Sequence, residues 1–328
     1  MPTPRRVLVC LALAVPSLLF GCGEDDQAGP GGAPRLKVVA TTTQAADLAR
    51  NVAPDAEVLG LLPANADPHE YDVRPRDIEA LSDATLVVRS GGELDEWLAE
   101  AIESSGTKAP VLTLIDSVNT IEGGAGHAEE TPAGEEEHAD EEKKDAHWWQ
   151  DPRNGVLAAT ALGEALAKSD PAAAADYRSG AEQYAQRLRA LDASIARCWL
   201  QVPDAQRKLV TTHDALGYYA ERYGLEVIGT VIPSLSTAGQ PSVGETAALI
   251  KEIERQNVSA IFAESSVNAK VEQAIAREAG AKVGRALWAD TLGPSGSDGA
   301  TYLQSLASNT RAIVDGVTEG AVSCSLPS

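Results

Sequence analysis

The sequence predicts an α/β protein of two lobes, each with a four-stranded and mainly parallel sheet, joined by one long rigid helix. Three observations support this. Short β-branched runs alternate with longer helical stretches in residues 36–170, the same alternation recurs in residues 201–328, and an unbroken helical stretch lies between them. Alternation of this kind is typical of parallel sheets that are covered by helices.

Each half contains four short apolar runs that we predict to be strands. In the first half these are residues 36–40, 58–62, 86–89 and 111–114, with helices near 44–52, 75–82 and 94–104. In the second half they are residues 208–211, 227–231, 260–263 and 282–285. Ser242 and Glu245 form a capping-box pattern that predicts the start of a helix, and a last helix is expected over residues 300–318.

The linking helix is predicted over residues 171–200. Apolar side chains recur there at steps of three or four residues, which gives one continuous apolar stripe on a helix. The stripe consists of Tyr177, Ala181, Tyr184, Leu188, Leu191 and Ile195. At 1.5 Å per residue such a helix is about 43 Å long, which is the span of a whole domain.

The chain begins with features of an exported protein. Arg5 and Arg6 precede an apolar run over residues 7–20, which is too short to span a bilayer and is typical of a secretory signal over residues 1–21. Gly21 and Cys22 follow an apolar pair and resemble a bacterial lipobox, which implies lipid on Cys22 and anchorage to a membrane. The alternative is an ordinary signal peptide with an incidental cysteine. Residues 22–35 are rich in Gly, Pro and acids and are predicted to be a flexible linker.

The four cysteines allow one disulfide in the exported chain. Cys10 leaves with the signal and Cys22 takes the lipid, so Cys198 and Cys324 remain. In an oxidising compartment two such cysteines predict a disulfide, and the alternative is a pair of buried free thiols.

The net charge of the chain is strongly negative. The net charge of −21 disfavours nucleic acid as a partner and attracts cations weakly. Ten of the 48 acidic residues lie in residues 122–146, where the stretch 122–144 contains no Val, Ile, Leu, Phe, Tyr or Trp. Such a segment cannot bury a core and is predicted to be disordered.

The five histidines divide into two groups. His127 and His138 lie in the acidic segment, whereas His69, His147 and His213 lie at turns. Ligands of α/β sheets bind at the carboxyl ends of strands, where His69 and His213 are predicted to lie, one in each half. Neutral imidazole is a good ligand for transition metals, and Asp290, which follows the last strand, could complete a set of four. Taken singly, each could be an ordinary polar turn residue, and Asp290 could form an Asx turn.

Three further acids are candidates to orient the imidazoles, namely Glu70, Asp214 and Glu264, although any of them could be a surface or capping acid. A zinc hydrolase is one alternative, with the three histidines as ligands and Glu70 as general base. The sequence has no HExxH, GxSxG or P-loop pattern, and a fourth protein ligand would leave no position for water. A surface adhesin, which would bind no stoichiometric metal, is another alternative.

Five segments occur in a characteristic order: DPHEYD at 67–72, the acidic segment, HWWQDP at 147–152, THDALGYYAERYGL at 212–225 and ADTLG at 289–293. This order resembles the solute-binding proteins of zinc and manganese ABC importers, from residue 36 to the C-terminus. The resemblance implies two four-stranded lobes bridged by a rigid helix. It also implies a monomeric extracytoplasmic receptor, not an enzyme, that passes a metal ion to a membrane permease.

The resemblance also assigns residues. By motif, the four ligands are His69, His147, His213 and Asp290. Manganese-selective members tend to have a carboxylate at the third position, so His213 implies zinc as the transported ion, with a manganese or iron receptor as the alternative. Three nitrogens and one carboxylate suit tetrahedral Zn²⁺. A His-bearing acidic segment is typical of zinc members, which makes His127 and His138 candidates for metal capture.

Overall fold

Four parallel strands form the sheet of the first half, in the order β2-β1-β3-β4. The computed structural model describes residues 36–123 and 144–327, so Cys22, His127 and His138 lie outside the described residues. The strands are β1 (Lys37–Ala40), β2 (Glu57–Gly60), β3 (Leu86–Arg89) and β4 (Val111–Thr113). All four predicted strands of this half are present, and the α/β fold class is confirmed.

The central strands are apolar on both sides because helices cover both faces of the sheet. Val38 and Val88 point to one apolar cluster, whereas Val39 and Val87 point to another on the opposite face. The helices of this half are α1 (Thr43–Val52), α2 (Pro75–Ser82) and α3 (Leu98–Ser105).

A pair of helices follows, where the sequence predicted a single one. The long helix α5 (Ala174–Trp199) is preceded by a short 3-10 turn, Pro171–Ala173, so it begins three residues later than expected. The predicted apolar stripe is buried along its length. Helix α4 (Pro152–Ser169), which was not predicted, packs along α5. Gly163 permits this close approach, since a Cβ there would lie 2.7 Å from the Cβ of Ala181.

In the second half the predicted four-stranded sheet is discontinuous. Strands β5 (Lys208–Thr211) and β6 (Glu226–Thr230) form one parallel pair, and β7 (Ala260–Ile261) and β8 (Lys282–Val283) form another. The backbone N–H of Phe262 donates to the carbonyl of Val210 at 2.8 Å, which joins the two pairs by an isolated bridge. The four strands predicted for this half are present, but β7 and β8 have only two residues each, so the four-stranded sheet is interrupted.

The remaining helices are α6 (Gly217–Tyr223), α7 (Val243–Gln256), α8 (Lys270–Ala279) and α9 (Tyr302–Val317). The capping box of α7 is confirmed: Glu245 N–H donates to Ser242 Oγ at 3.1 Å, and Ser242 N–H donates to the Glu245 carboxylate at 2.6 Å. In the described part of the chain, no helix combines the length and apolarity needed to cross a membrane.

One apolar cluster includes residues from both halves, among them Leu48 of α1, Leu188 of α5 and Ile313 of α9. The predicted disulfide between Cys198 and Cys324 is present, with a Cα–Cα distance of 5.6 Å, and joins the C-terminal tail to the end of α5.

The acidic segment ends earlier than predicted. Lys144 pairs with Glu122 in an antiparallel bridge, and Asp145 and Ala146 are buried. The inclusion of residues 145 and 146 in a disordered segment is therefore wrong, because both side chains pack into the protein next to His147.

Candidate metal centre

His69 lies on a short 3-10 turn, Pro68–Glu70, in the connection between β2 and α2. Pro68 suits the first position of the turn because it needs no N–H donor there. Asp67 caps the turn, with Oδ1 accepting from His69 N–H at 3.0 Å. His69 is partly buried, with a side chain that is 7% exposed, and it lies nearest to solvent among the candidate ligands.

His147 directly precedes a second 3-10 turn, Trp148–Gln150, and helix α4. Its ring is fully buried. Asp145 Oδ1 lies 2.7 Å from His147 Nδ1 and also accepts from the backbone N–H of His147 at 2.8 Å. An ionised carboxylate accepts only, so Nδ1 carries the proton and Nε2 is free to bind a cation.

His213 follows β5 at its carboxyl end and is fully buried. Its Nδ1 lies 2.6 Å from Glu264 Oε1, and Thr211 Oγ1 donates to its backbone carbonyl at 2.8 Å. Glu264 therefore faces the ring of a candidate ligand on its Nδ1 side, and Nε2 points away from it toward the other candidate ligands.

Asp290 belongs to the second half but is held by residues of the first. Trp149 Nε1 and Gln150 Nε2 both donate to the carbonyl of Ala289, at 2.9 and 2.8 Å. On the other side, Leu292 N–H donates to Thr43 Oγ1 at 2.8 Å. The carboxylate is thus positioned by backbone contacts before and after it.

The four candidate ligands meet at one point. Each offers a ligand atom that lies within 4.8 Å of the other three. His213 Nε2 is 3.3 Å from His147 Nε2 and 3.2 Å from Asp290 Oδ2. His69 Nε2 is 3.3 Å from Asp290 Oδ2, and His147 Nε2 is 3.4 Å from Asp290 Oδ1. Within residues 36–123 and 144–327, His69 Nε2 and both Asp290 oxygens are buried and have no hydrogen-bond partner, which is costly unless a cation satisfies them.

The pKa values of the candidate ligands are shifted by burial and by the charges of their neighbours. Burial lowers the pKa of His213, but the carboxylates of Glu264 and Asp290 outweigh it and hold that pKa well above its ordinary value. The pKa of His147 is also raised: burial lowers it, but the carboxylates of Asp145 and Asp290 outweigh that effect. Burial raises the pKa of Asp290, yet His213 and His147 hold it well below its ordinary value. The pocket therefore attracts positive charge.

Asp145 was not predicted from the sequence, and the role predicted for Glu70 is not supported by the structure. Asp145 orients His147, but it stood at the end of a stretch predicted to be disordered. The signal available was its position two residues before His147. Glu70 is exposed, and no hydrogen bond in the described part of the chain joins it to a ligand histidine. Asp214 lines a cavity beside the centre, together with Asp145.

Known proteins share this fold and sequence pattern. Residues 38–316 match the family described as zinc-uptake complex component A, periplasmic (ZnuA). The zinc-binding protein TroA of Treponema pallidum is 28% identical over 319 residues, which cover 94% of this chain and 98% of that protein. The manganese-binding lipoprotein MntA of Halalkalibacterium halodurans is 25% identical, over 96% of this chain and 100% of that protein.

Among solved structures, the periplasmic zinc-binding protein TroA from Treponema pallidum matches with a TM-score of 0.75 and 27% identity, over 87% of this chain and 99% of that one. Fold, site and relatives together define an extracytoplasmic metal-binding receptor of an ABC importer. The chain belongs to the ZnuA family. The predicted resemblance and location are confirmed, and so is the prediction that the chain is not an enzyme, which excludes the hydrolase alternative.

Proposed function

We propose that the chain captures Zn²⁺ outside the cytoplasm and delivers it to the permease of an ABC importer. The ligands are His69, His147 and His213 through Nε2, and Asp290 through its carboxylate. Lipid on Cys22 holds the receptor at the membrane. Asp145 and Glu264 orient two of the imidazoles.

The spacing of the ligand atoms carries the assignment. Four donors at the corners of a tetrahedron, each about 2.0–2.1 Å from one ion, lie about 3.3–3.4 Å apart. Three of the six distances among His69 Nε2, His147 Nε2, His213 Nε2 and Asp290 Oδ2 are 3.2, 3.3 and 3.3 Å, and all four ligand atoms lie within 4.8 Å of one another. These three spacings support a tetrahedral ion of the size of Zn²⁺.

One observation favours manganese as the alternative cargo. Both oxygens of Asp290 face the histidines, Oδ1 toward His147 and Oδ2 toward His69 and His213. A bidentate carboxylate would give five donors, and Mn²⁺ accepts more oxygen ligands and higher coordination than Zn²⁺. A relative named as manganese-binding is 25% identical to this chain.

Metal analysis of protein purified without chelator tests the proposal first, and one zinc per chain is expected. Apo-protein should then be loaded with Co²⁺, whose visible absorption is strong in tetrahedral sites and weak in sites of higher coordination. Strong absorption is expected, together with displacement of Mn²⁺ by equimolar Zn²⁺. Weak cobalt absorption, or manganese as the purified metal, would support the manganese alternative.

Zinc affinity should fall as the solution is acidified from pH 8 to pH 6. The raised pKa values of His147 and His213 mean that protons compete with zinc at pH values above the ordinary histidine range. Each histidine that must lose a proton weakens binding up to about tenfold per pH unit. The lowered pKa of Asp290 keeps that carboxylate ionised throughout.

This pH dependence is measurable by competition with a chelator of known pH dependence at constant ionic strength. Proton release on zinc binding, recorded by calorimetry in buffers of different ionisation enthalpy, provides an independent value. An affinity that does not change between pH 8 and pH 6 would contradict the histidine ligand set.

A further inference from the structure

His69 is the least restrained of the three histidines. In His147 and His213, a buried carboxylate accepts a hydrogen bond from the ring nitrogen that faces away from the centre. Among residues 36–123 and 144–327, no side chain provides such a contact for the ring of His69. The placement of His69 therefore depends on the turn that carries it.

Two hydrogen bonds between the first and second halves hold this turn and the residues just before it in place. Thr237 Oγ1 donates to Asp67 Oδ2 at 2.7 Å, across 170 residues of sequence. Asn65 N–H donates to the carbonyl of Leu292 at 2.9 Å. Asp67 contacts Thr237 and His69 at once, because its Oδ1 accepts from His69 N–H. A direct chain of contacts thus runs from Thr237 through Asp67 to the backbone of His69.

A cavity of about 310 Å³ lies on the outer side of His69. Pro68 and His69 line it from the first half, and Leu235 and Ser236 line it from the segment that carries Thr237. His147, His213 and Asp290 are fully buried. Of the four ligands, His69 is therefore the one that separates the centre from this cavity.

We propose that Thr237 is a positioning residue for metal retention, an inference that rests on the zinc site proposed above. By its hydrogen bond to Asp67, Thr237 keeps the turn that carries His69 close to the segment that lines the other side of the cavity. The ion leaves through the cavity when this hydrogen bond breaks and the His69 ring turns away. The other two imidazoles stay in place because Asp145 and Glu264 hold them.

Replacing Thr237 by valine preserves the shape of the side chain and removes its donor. The rate of zinc dissociation, measured by stopped flow with an excess of chelator, should rise about tenfold, as expected for the loss of one hydrogen bond to a charged group. Thr237→Ser keeps the hydroxyl and should release zinc within about twofold of the wild-type rate. Thermal unfolding of each apo-protein shows whether the fold is retained.

Two further proteins make the test specific. Thr160→Val is the matched control, since Thr160 lies exposed on α4 with its hydroxyl bonded to Val156 of the same helix, and it should release zinc at the wild-type rate. In an Asp67→Ala background, Thr237→Val should add no further acceleration.

Three results would overturn the role of Thr237. These are a wild-type dissociation rate in Thr237→Val, an equal acceleration in Thr160→Val, and an undiminished effect of Thr237→Val without Asp67. None of these results contradicts the zinc site itself, as long as the wild-type protein binds one zinc. Failure of the wild-type protein to bind zinc would instead overturn the proposed function itself.

Discussion

Replacing His213 by alanine should weaken zinc binding by about 100- to 1,000-fold. Structural zinc sites with four ligands bind with about 10–16 kcal/mol, so one ligand accounts for about 2.5–4 kcal/mol. His213 is central to the site because its Nε2 lies close to both His147 and Asp290. The measurement is zinc affinity by chelator competition at pH 7.5.

The substitution also leaves the buried carboxylate of Glu264 without its partner, which costs stability. His69→Ala is the informative second variant, since Asp290, the buried carboxylate near its ring, keeps His147 and His213 as neighbours. It should weaken zinc binding to a similar extent while apo-protein stability stays near that of the wild type. Thr160→Val, on the exposed side of α4, is the control outside the ligand set and should keep wild-type affinity. Tight binding by both His213→Ala and His69→Ala would contradict the proposed centre.

Removing the disulfide should lower the free energy of unfolding by about 2–5 kcal/mol. Cys198 and Cys324 close a loop with a sequence separation of 126, so the bond restricts a large part of the unfolded chain. The double variant Cys198→Ala/Cys324→Ala avoids a single reactive thiol. Urea unfolding of the apo-protein, compared with wild type under oxidising conditions, gives the difference.

Reduced wild-type protein is the control for this variant, because it has the same side chains apart from the bond. Both samples should unfold at a similar and lower urea concentration than the oxidised wild type. Zinc stoichiometry should stay at one per chain, since neither cysteine is in the ligand cluster. An unchanged unfolding midpoint in both samples would show that the tail is held without the bond.

Sequence periodicity was sufficient for most of the secondary structure. The strands β1, β3 and β5 follow from β-branched runs, and α5 follows from its apolar stripe. Helix α4 was missed, and its buried face includes small residues such as Ala158, Ala159 and Gly163, which give a weak apolar pattern. Those small residues let α4 approach α5 closely, a packing effect that a single sequence does not reveal.

His69 and His213 were candidates because both imidazoles follow predicted strands, whereas the full set of four ligands came from the resemblance to a known family. Only five histidines are present, and three of them lie at turns of an α/β pattern. The partners of these histidines were harder to predict. Asp145 belongs by composition to an acidic stretch, whereas in the folded chain it is buried against the ring of His147. Composition describes the average of a segment, and burial depends on the individual side chain.

The sequence by itself determined the α/β class and the cysteine pair, because each depends on residue type and local periodicity, and its motifs predicted the four candidate ligands through their resemblance to a known family. Only the tertiary structure decided which acid faces which imidazole, and that Thr237 reaches the turn of His69. Such contacts join residues that are 51 or 170 positions apart, and their partners are selected by how the two halves pack. No local pattern records that packing.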